Sequence, residues 1–262
     1  MSVLIRPSQL NSYLQCSAKY RFQYIENIQT PKALALAFGT SVHSAFEKNF
    51  SQKVESRADL PTEEVVQEFS DVFDKERENV EKKDLIEDPQ AKDVGIGLVT
   101  KYHQEFAPLM QPKAVEVKVE ATFKGYDYGV CGTMDNLTEN KENPTEDVDL
   151  NDYKTASRKD AEVPMSHQRQ GSLYVLMGKA VEDTVGKIKN VNFDYLLKKK
   201  TPEIIRRTFT PDPIHALNML QRVGEAIEKG VFIPNRDSFM CTRRFCSYWQ
   251  NCEQTYKGKV KE

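Results

Sequence analysis

The sequence predicts an α/β core with a helical N-terminal part folded onto it and a cysteine-rich tail behind it. Three observations predict this. The first 110 or so residues place apolar side chains at helical spacing. After Pro112 the texture changes: Val115, Val117 and Val119 alternate with Glu116, Lys118 and Glu120, the period of a half-buried strand. From there the pattern runs through three strands, a helix, two strands and a helix, the order of a layered α/β core.

The elements follow in order. Ser8, just after Pro7, is placed to cap a helix whose apolar face includes Leu10, Tyr13, Leu14, Tyr20, Phe22 and Ile25, with Cys16 inside it. A second helix is expected over about 37–52, carrying Gly39, His43 and Glu47. Thr62 to Lys83 is highly charged, with Val65, Val66, Phe69 and Phe73 at helical spacing, and reads as an amphipathic helix. Another helix is expected over about 91–106, ended by Pro108. Strands follow over 115–119, 130–137 and 148–154, separated by the Gly125–Gly129 turn and by a polar stretch broken at Asn143-Pro144. A helix over about 164–181, strands over 191–197 and 204–209, and a helix over 211–229 complete the core. No repeat, low-complexity tract or linker interrupts the chain. One domain is therefore expected, in three parts: about 1–110, 111–230 and 231–262.

At 262 residues, with 39% hydrophobic and 29% charged, the chain reads as soluble and globular. No apolar run approaches the roughly 18 residues of a membrane span. Met1 to Pro7 lacks the apolar stretch of a signal peptide, so a cytoplasmic protein is expected. A net charge of −2 excludes a generally basic surface but leaves room for a local basic groove. Basic residues cluster at Lys198-Lys199-Lys200, at Arg206-Arg207, at Arg243-Arg244 and at Lys257, Lys259 and Lys261. Of five cysteines, Cys241, Cys246 and Cys252 crowd the tail. In a reducing compartment that grouping suggests a metal or cluster site over disulfides.

The chemistry concentrates at Asp135 and at Asp152-Tyr153-Lys154, on consecutive strands. Asp152 and Lys154 are two apart and share one strand face. Two carboxylates and an ammonium at one sheet end suit a hard divalent cation and a lysine that orients its water. Alone, the Asp-x-Lys pair reads first as an ion pair on a solvated strand, with Asp135 an ordinary turn residue. The Gly132-x-x-Asp135 before it and the strand patterns on both sides turn the reading toward a site.

These residues, Gly39-Thr40-Ser41-Val42-His43 and Gln170-Gly171-Ser172-Leu173-Tyr174 together resemble the RecB-like branch of the PD-(D/E)XK nucleases, which includes the CRISPR-adaptation nucleases. Met134 stands where that pattern has proline. The resemblance covers most of the chain and implies a central mixed sheet flanked by helices. It further implies that His43, Asp135, Asp152 and the Tyr153 carbonyl bind Mg²⁺ or Mn²⁺, and that Lys154 positions the water. Gln170 and Tyr174 would line the site or touch DNA, and either Glu116 or Glu120 could support it.

In a subset of the branch, four cysteines hold a 4Fe–4S cluster, which would assign Cys16, Cys241, Cys246 and Cys252, with zinc as the other occupant. Here Cys241 and Cys246 are separated by four residues where the branch has two. Arg243, Arg244, Tyr248 and Trp249 would either meet single-stranded DNA or pack around the cluster. No P-loop pattern is present, so no motor accompanies the site. The implied activity is exonucleolytic attack on DNA ends in recombination or repair, beside a strand-annealing partner and in a monomer or a homo-oligomer. A CRISPR-adaptation processing nuclease and a DNA-binding module with a vestigial site are the alternatives.

Overall fold

The structure is a computed structural model that describes residues 3–81, 84, 86 and 88–262. The chain divides into two compact units, one of Met1–Thr30, Glu120–Gly132 and Asp212–Glu262, the other of Pro31–Val119 and Thr133–Pro211. Each is described by itself.

The larger unit holds a mixed sheet flanked by helices. Its strands are β2 (Pro112–Ala121, up to Val119), the later part of β3 (Tyr128–Glu139), β4 (Asp147–Ala156), β5 (Lys187–Leu197) and β6 (Glu203–Phe209). β3 pairs with β4 antiparallel, β4 with β5 parallel, and β5 with β6 antiparallel, while β2 lies against β3. Three helices supply its main core: α3 (Leu34–Ser56), α4 (Thr62–Arg77) and α5 (Ala91–Glu105). Phe38, Phe46, Phe50, Phe69, Phe73, Leu98 and Tyr102 are sealed there with Tyr153 and Leu196 of the sheet. The helix expected over Thr62 to Lys83 ends at Arg77, and Lys82 and Lys83 lie outside the described residues.

Burial decides which way β4 faces. The Tyr153 ring packs 4.9 Å from Phe46 and 5.5 Å from Tyr102, and its hydroxyl accepts a hydrogen bond from Asn136 Nδ2 at 2.8 Å. Each such aromatic pair adds roughly 0.5–1.5 kcal/mol beyond the area it buries. With Tyr153 fixed inward, Asp152 and Lys154 must project to the opposite face. There α6 (Met165–Gly178) crosses close to the strands, since a Cβ at Gly171 would meet Phe209 at 2.7 Å and Val191 at 2.9 Å. A short helix, α7 (Glu182–Val185), precedes β5.

The smaller unit contains β1 (Val3–Ile5), parallel to the start of β3, with α1 (Pro7–Gln15), α2 (Ser17–Tyr20), α8 (Pro213–Glu228) and α9 (Trp249–Tyr256). The single N-terminal helix expected from the sequence is two. Pro7 opens α1 and Gln9 Oε1 accepts from the Arg6 amide at 2.9 Å, so the cap lies two residues before Ser8. The backbone at Cys16 is extended (φ −164°, ψ 104°), so Cys16 sits in a break and not inside a helix. Among the described residues, no helix is long and apolar enough to cross a membrane.

Candidate active site

α3, β2, β3 and β4 converge on one point in the larger unit. His43 projects from α3, with Nδ1 3.4 Å from Asp135 Oδ2 and Nε2 2.9 Å from the Tyr153 carbonyl oxygen. If the Nε2 proton is donated to that carbonyl, the Nδ1 lone pair is left on the side of Asp135. Asp135 is buried, and its Oδ2 accepts the Tyr153 amide at 3.1 Å. Gly39, one turn before His43, is not required by close packing, because a Cβ there would meet only Thr155 Oγ1, at an ordinary 3.8 Å.

Glu116 completes a trio: one ligand atom each from His43, Glu116 and Asp135 lies within 4.8 Å of the others. The alternation of β2 places Glu116 with Lys118 and Glu120 on one face, but its backbone turns into the left-handed region (φ 51°) and re-aims the side chain. Glu120 stays exposed on its strand, within the smaller unit. No residue pattern in the sequence marks this turn. Burial, then Asp135 and Glu47, push the Glu116 carboxyl up to about 7.

Asp152 is fully buried on β4, beside the trio and outside its 4.8 Å group. Its Oδ1 meets the Lys154 ammonium, and its Oδ2 accepts from Gln170 Nε2 at 3.1 Å. Burial pushes its carboxyl up to about 6, against the opposing pull of Lys154. The same Gln170 nitrogen lies 2.6 Å from the Tyr174 hydroxyl, so α6 delivers both motif residues to Asp152. His167, one turn earlier on α6, stacks on Phe193 and Tyr195 with its Nδ1 2.9 Å from the Tyr195 hydroxyl. Burial and then the nearby Lys154 charge hold its pKa down to about 4. Lys154 itself stands 5.8 Å over the Phe193 ring.

An imidazole and carboxylates that can close on one point fit a hard or borderline divalent cation, and their partly buried setting strengthens the attraction. The remaining predicted residues form a separate feature in the smaller unit. Cys16, Cys241, Cys246 and Cys252 line one small apolar pocket with Ala18, Phe22 and Tyr248. A turn from Ser238 brings Cys241 there despite its longer spacing. No three of the sulfurs lie within 4.8 Å of one another. Burial raises the Cys246 and Cys252 thiols. The Asn235 amide donates to Cys16 Sγ at 3.4 Å. Tyr248 is buried in that pocket's wall and Trp249 carries Arg243 over its ring at 4.7 Å, so packing absorbs both aromatics. Cys131 is half-buried on β3 and lines no part of the pocket.

No curated protein matches the sequence. A crystal structure of a candidate exonuclease from Eubacterium rectale superposes with a TM-score of 0.56 at 13% identity, covering 90% of this chain and 85% of that one. A crystal structure of SSO0001 covers 94% of this chain and 95% of its own at 12% identity, with a TM-score of 0.40 too low to carry an argument. The first likeness establishes the fold alone. The family model described as the PD-(D/E)XK nuclease superfamily matches residues 5–253. That match runs almost the whole length of the sequence, and the chain belongs to the PD-(D/E)XK nuclease superfamily.

Proposed function

We propose that this chain is a divalent-metal-dependent deoxyribonuclease that degrades DNA from its ends during recombination or repair. The observation that carries the metal site is the convergence of His43, Glu116 and Asp135 beside the buried Asp152–Lys154 pair. His43 through Nδ1, Glu116, Asp135 and Asp152 would hold Mg²⁺ or Mn²⁺. In this arrangement the Tyr153 carbonyl orients His43 through Nε2, across the ring from an ion on Nδ1, so its part is to aim the imidazole. A bound ion supplies positive charge to the phosphodiester and acidifies a water.

The chain's own residues do the rest. Asp152 anchors the Lys154 ammonium, which donates to the attacking water and holds its oxygen in line with phosphorus. Gln170 occupies the other oxygen of Asp152 and stops the carboxylate from rotating away. Tyr174 in turn fixes Gln170. An imidazole ligand favours transition metals more than it favours Mg²⁺, so Mn²⁺ should support faster cleavage than Mg²⁺ at equal concentration. Release of nucleotides from end-labelled linear DNA, set against nicking of closed circles, tests the end-directed part. Efficient cutting of closed circles would overturn it.

Residues 1–262 act as one nuclease domain in this reading, stapled by a 4Fe–4S cluster on Cys16, Cys241, Cys246 and Cys252. Four thiolates on one zinc ion, with Zn–S near 2.3 Å, stand only about 3.8 Å apart. The pocket that all four cysteines line is where the cluster would sit. Ligation energy would then become folding energy. Iron and acid-labile sulfide measured in anaerobically purified protein test this, and stoichiometric zinc without iron would refute it.

A further inference from the structure

The basic pairs in the sequence divide once the sheet is built. Tyr153, Asp194 and Arg206 are register partners across β4, β5 and β6 and point to the α3 side. There Arg206 clamps the fully buried Asp194 through Nε and Nη2, both at 2.7 Å, with the Tyr102 hydroxyl adding a bond at 2.6 Å. Arg206 is committed to the core. Arg207 is its opposite. The row Asp152–Phe193–Arg207 runs straight across the other face, and the row Lys154–Tyr195–Ile205 runs beside it. Two strand steps put the Arg207 backbone about 10 Å from that of Asp152.

A shallow concavity opens on this face where β4 ends. Arg158, Lys159 and Arg207 surround it, over a floor that includes Tyr195 and Ile205. Asp160 and Glu162 line the same concavity. Arg158 meets Asp160 at 3.2 Å, but the Arg158 side chain is 82% exposed, so the pair holds it weakly. The Arg207 guanidinium donates to the Asp160 carbonyl oxygen at 3.5 Å. Among the described residues no carboxylate lies within ion-pair distance of Lys159 or Arg207, although Lys159, after Lys199, is near enough to lower the Glu203 carboxyl, in a chain whose net charge is −2. A continuous row of rings joins this place to the candidate active site. Tyr195 stacks on His167, His167 stacks on Phe193, and Lys154 stands over Phe193.

We propose that Arg158, Lys159 and Arg207 form a phosphate-binding subsite that grips the nucleic-acid strand next to the phosphodiester being cut. This rests on the nuclease reading above and adds where the strand runs: from Asp152 across β5 to the end of β4. The Arg207 guanidinium offers a forked donor to phosphate oxygens, and Arg158 and Lys159 on their loop can follow the next phosphate along. Neighbouring phosphates supply affinity and position without reading sequence.

The test is the salt dependence of single-stranded DNA binding, measured in EDTA so that no cleavage occurs. Each phosphate contact contributes about 0.7 to the slope of log affinity against log salt for single strands. The variant Arg158→Gln/Lys159→Gln/Arg207→Gln should lose about 2 from that slope. The control Lys141→Gln/Lys179→Gln/Lys229→Gln, which removes equal charge elsewhere, should lose much less. In Mn²⁺ the first variant should raise KM and leave kcat at saturating DNA within about twofold, and Arg207→Lys should recover part of the loss. An unchanged slope in a variant that folds and still cuts DNA would overturn the subsite alone. A wild-type chain that neither binds nor cuts DNA would overturn the nuclease reading instead.

Discussion

Glu116 occupies a conformation that costs a non-glycine residue of order 1 kcal/mol, and its carboxyl is half-buried among like charges from Asp135 and Glu47. Both costs fall on the side chain that completes the trio with His43 and Asp135, as expected of a group held ready for a cation. Glu116→Gln should weaken Mn²⁺ binding by about tenfold or more, read by calorimetry without any substrate. The raised pKa also gives a sign. In the metal-free protein Glu116 is ionised in the unfolded chain above about 4.5 but resists ionisation in the fold until about 7. Metal-free stability should therefore fall as pH rises through that window. The rise in Tm caused by Mn²⁺ should grow over the same range. A flat metal-free Tm between pH 5 and 8 would show that Glu116 is not held as described.

At the scale of elements, α6 matters because it carries Gln170 and Tyr174 to Asp152. Gly171 lets it lie against β5 and β6, and Gly171→Val would push a side chain into Phe209 and Val191. Overpacking of this kind costs about 1–3 kcal/mol. Because the shift also moves Gln170, cleavage should fall more than chemical denaturation midpoints suggest. The Asp194–Arg206 clamp makes a second test. Asp194→Ala leaves Arg206 without its carboxylate beside a buried Tyr102, and should cost about 3–5 kcal/mol in urea denaturation. The strands and helices were legible because period-2 and period-3.6 patterns report burial directly. The three-residue β1 and the single-turn α7 are too short to show a period, and two backbone events were hidden as well. The turn at Glu116 is a backbone event inside a regular alternation. The break at Cys16 is a single extended residue within an unbroken helical pattern of apolar side chains, which carries no mark of it.

The whole molecule combines chemistry that the sequence announced by type but not by place. Asp135, Asp152 and Lys154 were readable because a strand's two-residue period brings side chains to one face. Gln170 and Tyr174 were readable as a pair one helical turn apart, but their hold on Asp152 needed the fold. The basic clusters could not be sorted from the sequence, since neighbouring Arg206 and Arg207 face opposite sides of one strand. The central claim is that this site cuts DNA with a bound divalent ion, and digestion of end-labelled linear DNA in Mn²⁺ tests it most directly. Wild type should release nucleotides and stop in EDTA. Asp152→Ala, with the cysteine pocket untouched, should be slower by at least about 10²–10³-fold. Equal digestion by Asp152→Ala and wild type would contradict the account.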